Sequence, residues 1–167
     1  MATYQLISSV TVGAGGASSI DFTSIPATYT DLVIKFSNRT NNTGSGNGFS
    51  ITLNSSSTGY TRRSIYGDGS AAASNSGSTN SFGWVDGTTE TANTFANVEI
   101  YIPNYAGSNY KSLSNDAVME NNATAAYSQL AAMLWSNTAA ITSISLTPGV
   151  GSWVQYTNAY LYGIKNS

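Results

Sequence analysis

The chain has 167 residues, eight acids against six bases for a net charge of −2, and neither cysteine nor histidine. Asp, Glu, Lys and Arg make up 8% of it, against about 25% in an ordinary soluble domain; Ser, Thr, Asn and Gly supply the polar surface instead. This excludes disulfides, thiolate nucleophiles, sulfur-ligated metals and imidazole chemistry. With no basic stripe to neutralise phosphates, no nucleic acid is expected as a partner.

Apolar and polar residues alternate along most of the chain, beginning with Tyr4, Leu6, Val10 and Val12 and continuing through Ile20 and Phe22. A two-residue period is the mark of strands. The predicted strands run over 4–12, 31–38, 49–54, 80–85, 94–102, 110–120, 125–135, 140–147 and 153–164. The Ala-, Leu- and Met-containing stretch 124–135 has helical propensity, yet its strand neighbours and the lack of a capping box make it a strand. Gly13-Ala-Gly-Gly16, Asn41 to Gly48, Gly67-Asp-Gly69, Asp86-Gly87 and Pro148-Gly149 write the turns. The low-complexity segment 67–81 has almost no side chain to anchor it and is expected to be a long surface loop or an edge. The fold class expected is all-β, an antiparallel β-sandwich, jelly-roll-like, of about eight to ten strands. At this length it forms one domain over 1–167, and with 11 Tyr, 5 Phe and 3 Trp it can build a core. No apolar run approaches about 18 residues, so no membrane insertion is expected. The N-terminus has no basic and apolar pattern of a signal peptide, which implies synthesis in the cytoplasm.

Motifs that suggest chemistry have plainer readings. The glycine run from Val12 to Ser18 lacks the strand–helix context of a phosphate loop and reads as a hairpin turn. Asp68 and Asp86 are the candidates for calcium, with a turn as the simpler reading of Gly67-Asp-Gly69. A glycosidase pair would have to come from Asp21, Asp31, Asp68, Asp86, Asp116, Glu90, Glu99 and Glu120. Of these, Glu99 is expected to share one sheet face with Tyr101, opposite Val98 and Ile100. Aromatic rings among many Asn suit sugar binding, although Trp84, Trp135 and Trp153 read first as core or interface residues. Asn38, Asn41, Asn54 and Asn122 begin chance glycosylation sequons. No catalytic, cofactor-binding or metal-binding residue is assigned, and no cofactor.

Several blocks carry a resemblance: Tyr4-Gln-Leu-Ile-Ser-Ser-Val-Thr-Val12, Ile20-Asp-Phe-Thr-Ser-Ile-Pro26, Tyr29 to Arg39, Tyr66-Gly-Asp-Gly69, Ile100-Tyr-Ile-Pro-Asn-Tyr105, Trp135 to Ile144 and Tyr160-Leu-Tyr-Gly-Ile-Lys165. In this order they resemble small β-sandwich virion proteins of tailed bacteriophages, both capsid cement or decoration proteins and tail-fibre tip domains. The resemblance implies a non-enzymatic virion structural protein, most simply a decoration protein that binds the capsid lattice and stabilises the head. Its partners would then be the major capsid protein and other copies of itself, as a homotrimer located in the virion. The alternative is a tail-fibre or receptor-binding module that recognises a host surface glycan or protein. The candidate partner contacts are Tyr60, Tyr66, Trp84 and Tyr105, with the N-terminal strand and the 67–81 segment beside them. Trp135 is expected in the core.

Overall fold

The computed structural model describes residues 2–44, 47–122 and 126–165. Residue 125 of the predicted strand 125–135, residues 45 and 46 of the turn 41–48, and residues 123 and 124 of the last sequon lie outside them. The described chain forms strands β1 (Thr3–Thr11), β2 (Ile20–Phe22), β3 (Asp31–Asn38), β4 (Asn47–Leu53), β5 (Tyr60–Gly67), β6 (Ala72–Gly77), β7 (Ser81–Val85), β8 (Ala96–Pro103), β9 (Lys111–Met119), β10 (Tyr127–Trp135), β11 (Ile144–Pro148) and β12 (Asn158–Lys165). They build two antiparallel sheets, an eight-stranded one in the order β1-β12-β3-β8-β9-β10-β5-β6 and a four-stranded one in the order β2-β11-β4-β7. The expected all-β sandwich is what is found, with twelve strands.

Strict alternation produces the layering. In β9, Lys111, Leu113, Asn115, Ala117 and Met119 point inward and are buried, while the residues between them are exposed. β10 does the same with Gln129, Ala131, Met133 and Trp135, so 124–135 contributes a strand rather than a helix. The core between the sheets centres on Phe36, Phe49 and Trp153, whose rings meet edge to face with centroids 5.1–6.5 Å apart. The Trp153 indole N–H donates to the Leu146 carbonyl at 3.0 Å, so the largest side chain there is buried without an unmade hydrogen bond. Trp135 is 1% exposed and stacks on Tyr60 with centroids 6.1 Å apart, as its core reading requires.

Three expectations change. The 67–81 segment takes the edge alternative: β6 pairs with β5 from Arg62↔Gly77 to Gly67↔Ala72 and forms an outer edge of the large sheet. The predicted strand 153–164 starts only at Asn158, because Trp153 makes isolated bridges to Ala17 and Thr40 and Tyr156 turns the chain at a φ of 72°. Strands β2 and β5 were not among those predicted. The first is three residues long; the second has polar residues at its inward positions 62 and 64.

The four-stranded sheet covers only part of the larger one. Its edge strand β7 lies against β9 and β10, while β5 and β6 continue outward beyond β10. From the small sheet, the Trp84 side chain of β7 reaches the inner face of that overhang.

Candidate functional site

The four candidate contact residues divide into two pairs. Tyr60 and Tyr105 are buried, at 4% and 0% exposure, so neither is a surface contact. Their rings belong to the core and their hydroxyls tie down loops. Tyr60 Oη accepts from Leu53 N at 2.9 Å and donates to Ser56 O at 3.1 Å. Tyr105 Oη donates to Pro26 O and accepts weakly from Tyr29 N at 3.4 Å. Burial pushes both phenols above the ordinary tyrosine range, opposed at Tyr60 by the Leu53 amide and at Tyr105 by the Tyr29 amide.

Trp84 and Tyr66 are half-buried and come together, joined by Tyr127, which sequence reasoning missed. Trp84 stacks on Tyr127 with centroids 4.4 Å apart and planes 12° off parallel, and Tyr66 meets both rings edge-on at 5.8 and 6.5 Å. A bulge in β7 sets the direction of Trp84. Gly48 opposes Trp84 and Phe49 opposes Phe82, which leaves Gly83 as an extra residue at a φ of 82°. A side chain at Gly83 would place its Cβ 2.5 Å from the Phe49 ring, so the bulge demands glycine for both space and backbone.

Below this aromatic cluster the inner face of the overhang is polar. One cross-strand row runs Asn115, Ala131, Ser64, Asn75 across β9, β10, β5 and β6, and the next runs Ala117, Gln129, Tyr66, Ala73. Arg62, Ser64, Tyr66, Asn75, Trp84 and Gln129 line a cleft of about 70 Å³. Arg62 Nη2 donates to Asn75 Oδ1 at 2.9 Å. Four other buried atoms of this lining meet no protein partner: Arg62 Nε, Ser64 Oγ, Trp84 Nε1 and Gln129 Oε1. Both amide atoms of Asn115, one small residue away along the row, are also unpartnered.

The outer face of the large sheet has a different character. Tyr4, Leu6 and Tyr160 stand exposed at its β1–β12 end, and Val118, Leu130 and Ile65 at its β9–β10–β5 end. Leu130 and Ile65 are register partners and border two shallow grooves of about 610 and 740 Å³. Between the two apolar ends lies a short charged row, Lys35, Glu99 and Asp116. Glu99 shares this face with Tyr101 as expected, and it is ion-paired to Lys35 across the strands with both side chains about half exposed.

The acids are scattered through structural roles. Asp68 Oδ1 accepts from the Ser70 and Ala71 amides and from Ser70 Oγ, at 2.8–2.9 Å, which caps the β5–β6 turn and holds its carboxyl down at about 2. Asp31 accepts from Tyr101 Oη at 3.0 Å and Asn104 N at 2.9 Å. Asp86 is fully buried and accepts from Asn121 Nδ2 at 3.0 Å. Burial raises its pKa, against the pull of the Asn121 and Thr94 hydrogen bonds and the Arg39 charge. Among the described residues no three His, Cys, Asp or Glu side chains gather in a metal-binding group; Gly67-Asp-Gly69 forms the turn that Asp68 caps. The run 12–18 makes a turn, closed by Gly16 N donating to Gly13 O at 3.0 Å, but not the expected hairpin, because it carries the chain from β1 in the large sheet to β2 in the small one. A buried lysine was also missed: Lys111, 0% exposed, donates to the Gly107, Asn109 and Thr138 carbonyls, and burial lowers its pKa.

No family model matches the chain, and no curated protein matches it. Among solved structures, it is similar in outline to an E230A fructofuranosidase from Schwanniomyces occidentalis, complexed with fructosylnystose. That likeness has 9% identity and a TM-score of 0.31, and covers 99% of this chain but 33% of the other. The chain thus spans about a third of the length of that enzyme.

Proposed function

We propose that the chain is a non-enzymatic assembly protein, and more narrowly a virion structural protein of the capsid decoration type that clamps neighbouring capsid subunits. The observation that carries this reading is the outer face of the eight-stranded sheet, apolar at both ends with one short charged row, Lys35, Glu99 and Asp116, between them. Large apolar side chains held in water on a sheet face favour burial against another surface. The low charge of the whole chain leaves little repulsion to oppose close packing of copies. Edge strand β6 strengthens the case, since Ala72-Ala-Ser-Asn-Ser-Gly77 carries none of the lysines or prolines that usually guard a free edge. In a closed trimer, the β6 edge of one copy against the β1 edge of the next would cover both edges of the large sheet. The phage assignment itself rests on the sequence blocks that resemble virion proteins.

The test is co-sedimentation of the purified chain with assembled capsids and with unassembled capsid protein. Saturable binding to the assembled lattice, lost on Leu130→Asp or Ile65→Asp in a folded variant, is the expected result; no binding to either form overturns the reading. The Tyr66–Trp84–Tyr127 cluster favours a second reading, a receptor-binding module for a host surface glycan, because half-buried aromatic rings beside polar groups suit sugars.

A further inference from the structure

The cleft beneath Trp84 combines features that ordinary packing does not explain. Ser64 and Gln129 are 6% and 5% exposed, yet Ser64 Oγ and Gln129 Oε1 meet no protein partner, and neither do Arg62 Nε and Trp84 Nε1. Buried polar groups are nearly always paired, so several orphans lining one cleft mark a place prepared for a polar occupant. The orphan set is rich in donors: a guanidinium N–H, an indole N–H and a hydroxyl, with one amide oxygen as acceptor. The guanidinium is also uncompensated. Among the described residues the ion pair is Lys35 with Glu99 on the opposite face of the sheet, and the protein partner of the Arg62 side chain is the neutral amide of Asn75.

We propose that this cleft binds the carboxylate of a hydroxy acid, of the class of uronic and aldonic acids. The two carboxylate oxygens offer about four acceptor positions, enough for Arg62 Nε, Trp84 Nε1 and Ser64 Oγ together. A ligand hydroxyl near the carboxylate donates to Gln129 Oε1. The volume of about 70 Å³ suits this head group, being roughly that of two waters, and excludes an entire sugar ring. The rest of the ligand therefore lies toward exposed Asn75 and half-exposed Tyr66. This inference stands apart from the assembly reading. It deepens the glycan-recognition reading by naming the sugar class, and the neutral-sugar arm below separates the two.

The experiment follows the Trp84 indole N–H by NMR and its fluorescence during titration with four probes: sodium D-glucuronate, methyl β-D-glucuronide, sodium acetate and D-glucose. Trp84→Phe assigns the resonance, since Trp135 and Trp153 are buried elsewhere in the core. A saturable shift with glucuronate, weaker with acetate and missing with glucose, is expected. An equal shift with methyl glucuronide identifies a glycan-linked residue as the source, and a shift with the free acid alone identifies a soluble acid. Arg62→Lys keeps the charge but loses Nε, and should weaken binding about tenfold or more, the worth of one charge-assisted hydrogen bond. Ser64→Ala gives a second variant should Arg62→Lys fold poorly, with a smaller loss expected. The proposal is overturned if no carboxylate moves the indole signal, if glucose moves it as strongly as glucuronate, or if folded Arg62→Lys and Ser64→Ala both bind like the parent.

Discussion

Trp153 and Trp84 place the same indole group between the same two sheets and meet opposite fates. Trp153 sits in the centre of the core, touches Phe36 and Phe49, and donates its N–H to the Leu146 carbonyl. Trp84 stands at the margin where the large sheet outruns the small one, stacks on Tyr127, and leaves its N–H unpartnered. In the centre of the core the indole N–H has its partner, although Asn38, Asp86 Oδ2 and Glu90 Oε1 elsewhere in the interior meet none. Under the overhang, polar residues of the large sheet lie beside Trp84 of β7, and several atoms stay unsatisfied. An unmade hydrogen bond of this kind costs about 1–3 kcal/mol, so Trp153 reads as a stability residue, while the Trp84 N–H is left for the ligand proposed above.

Substitution can break the comparison, and the largest effect belongs to the core. Trp153→Ala should cost about 3–5 kcal/mol in denaturant unfolding, from lost burial and the cavity left behind. Gly83→Ala comes next, at about 1–3 kcal/mol, because the new methyl group meets the Phe49 ring and the backbone holds a positive φ. It should also disturb Trp84, visible as a shifted emission maximum in the folded variant. Trp84→Phe and Ser64→Ala should each stay within about 1 kcal/mol of the parent, since each removes an orphan polar atom rather than a made bond. A Trp84 variant as unstable as Trp153→Ala would erase the distinction between the two indoles.

The buried Asp86 sharpens the same contrast through pH. Its pKa is raised in the folded protein, so folding takes up protons there, and stability falls as pH climbs from the ordinary aspartate range through the raised value. Asp86→Asn, which preserves an oxygen for Asn121, should flatten that fall when denaturation midpoints are measured across pH. Asp68 behaves in the opposite sense. Its carboxyl is held at about 2, so its support for the β5–β6 turn is present above the ordinary aspartate range and lost as pH falls toward that value. Protection of the β6 amides, measured against the intrinsic exchange rate at each pH, should therefore fall first on acidification.

The period-two pattern made most strands legible, because residues such as Leu113, Ala117 and Met133 must face inward to be buried at all. β5 escaped for a physical reason: its inward positions 62, 64 and 66 are Arg, Ser and Tyr, which line the polar cleft instead of filling the core. The irregularity that hid the strand is the one that makes the site. Trp84 and Tyr66 were legible as candidate contacts, whereas Tyr127, Gln129 and Arg62 were not, since only strand register brings them together. Tyr60 and Tyr105 misled because a tyrosine that bonds a loop carbonyl from within the core looks, in sequence, like one that meets a partner.

The outer face of the large sheet carries the account of function, and counting copies tests it most directly. Quantitative mass spectrometry of purified virions, normalised to the major capsid protein, should give a ratio near one or a simple fraction of it if the chain decorates the lattice. A count smaller by one or two orders of magnitude, or no copies in the particle, would contradict the decoration role; the smaller count would place the chain at the tail or a single vertex.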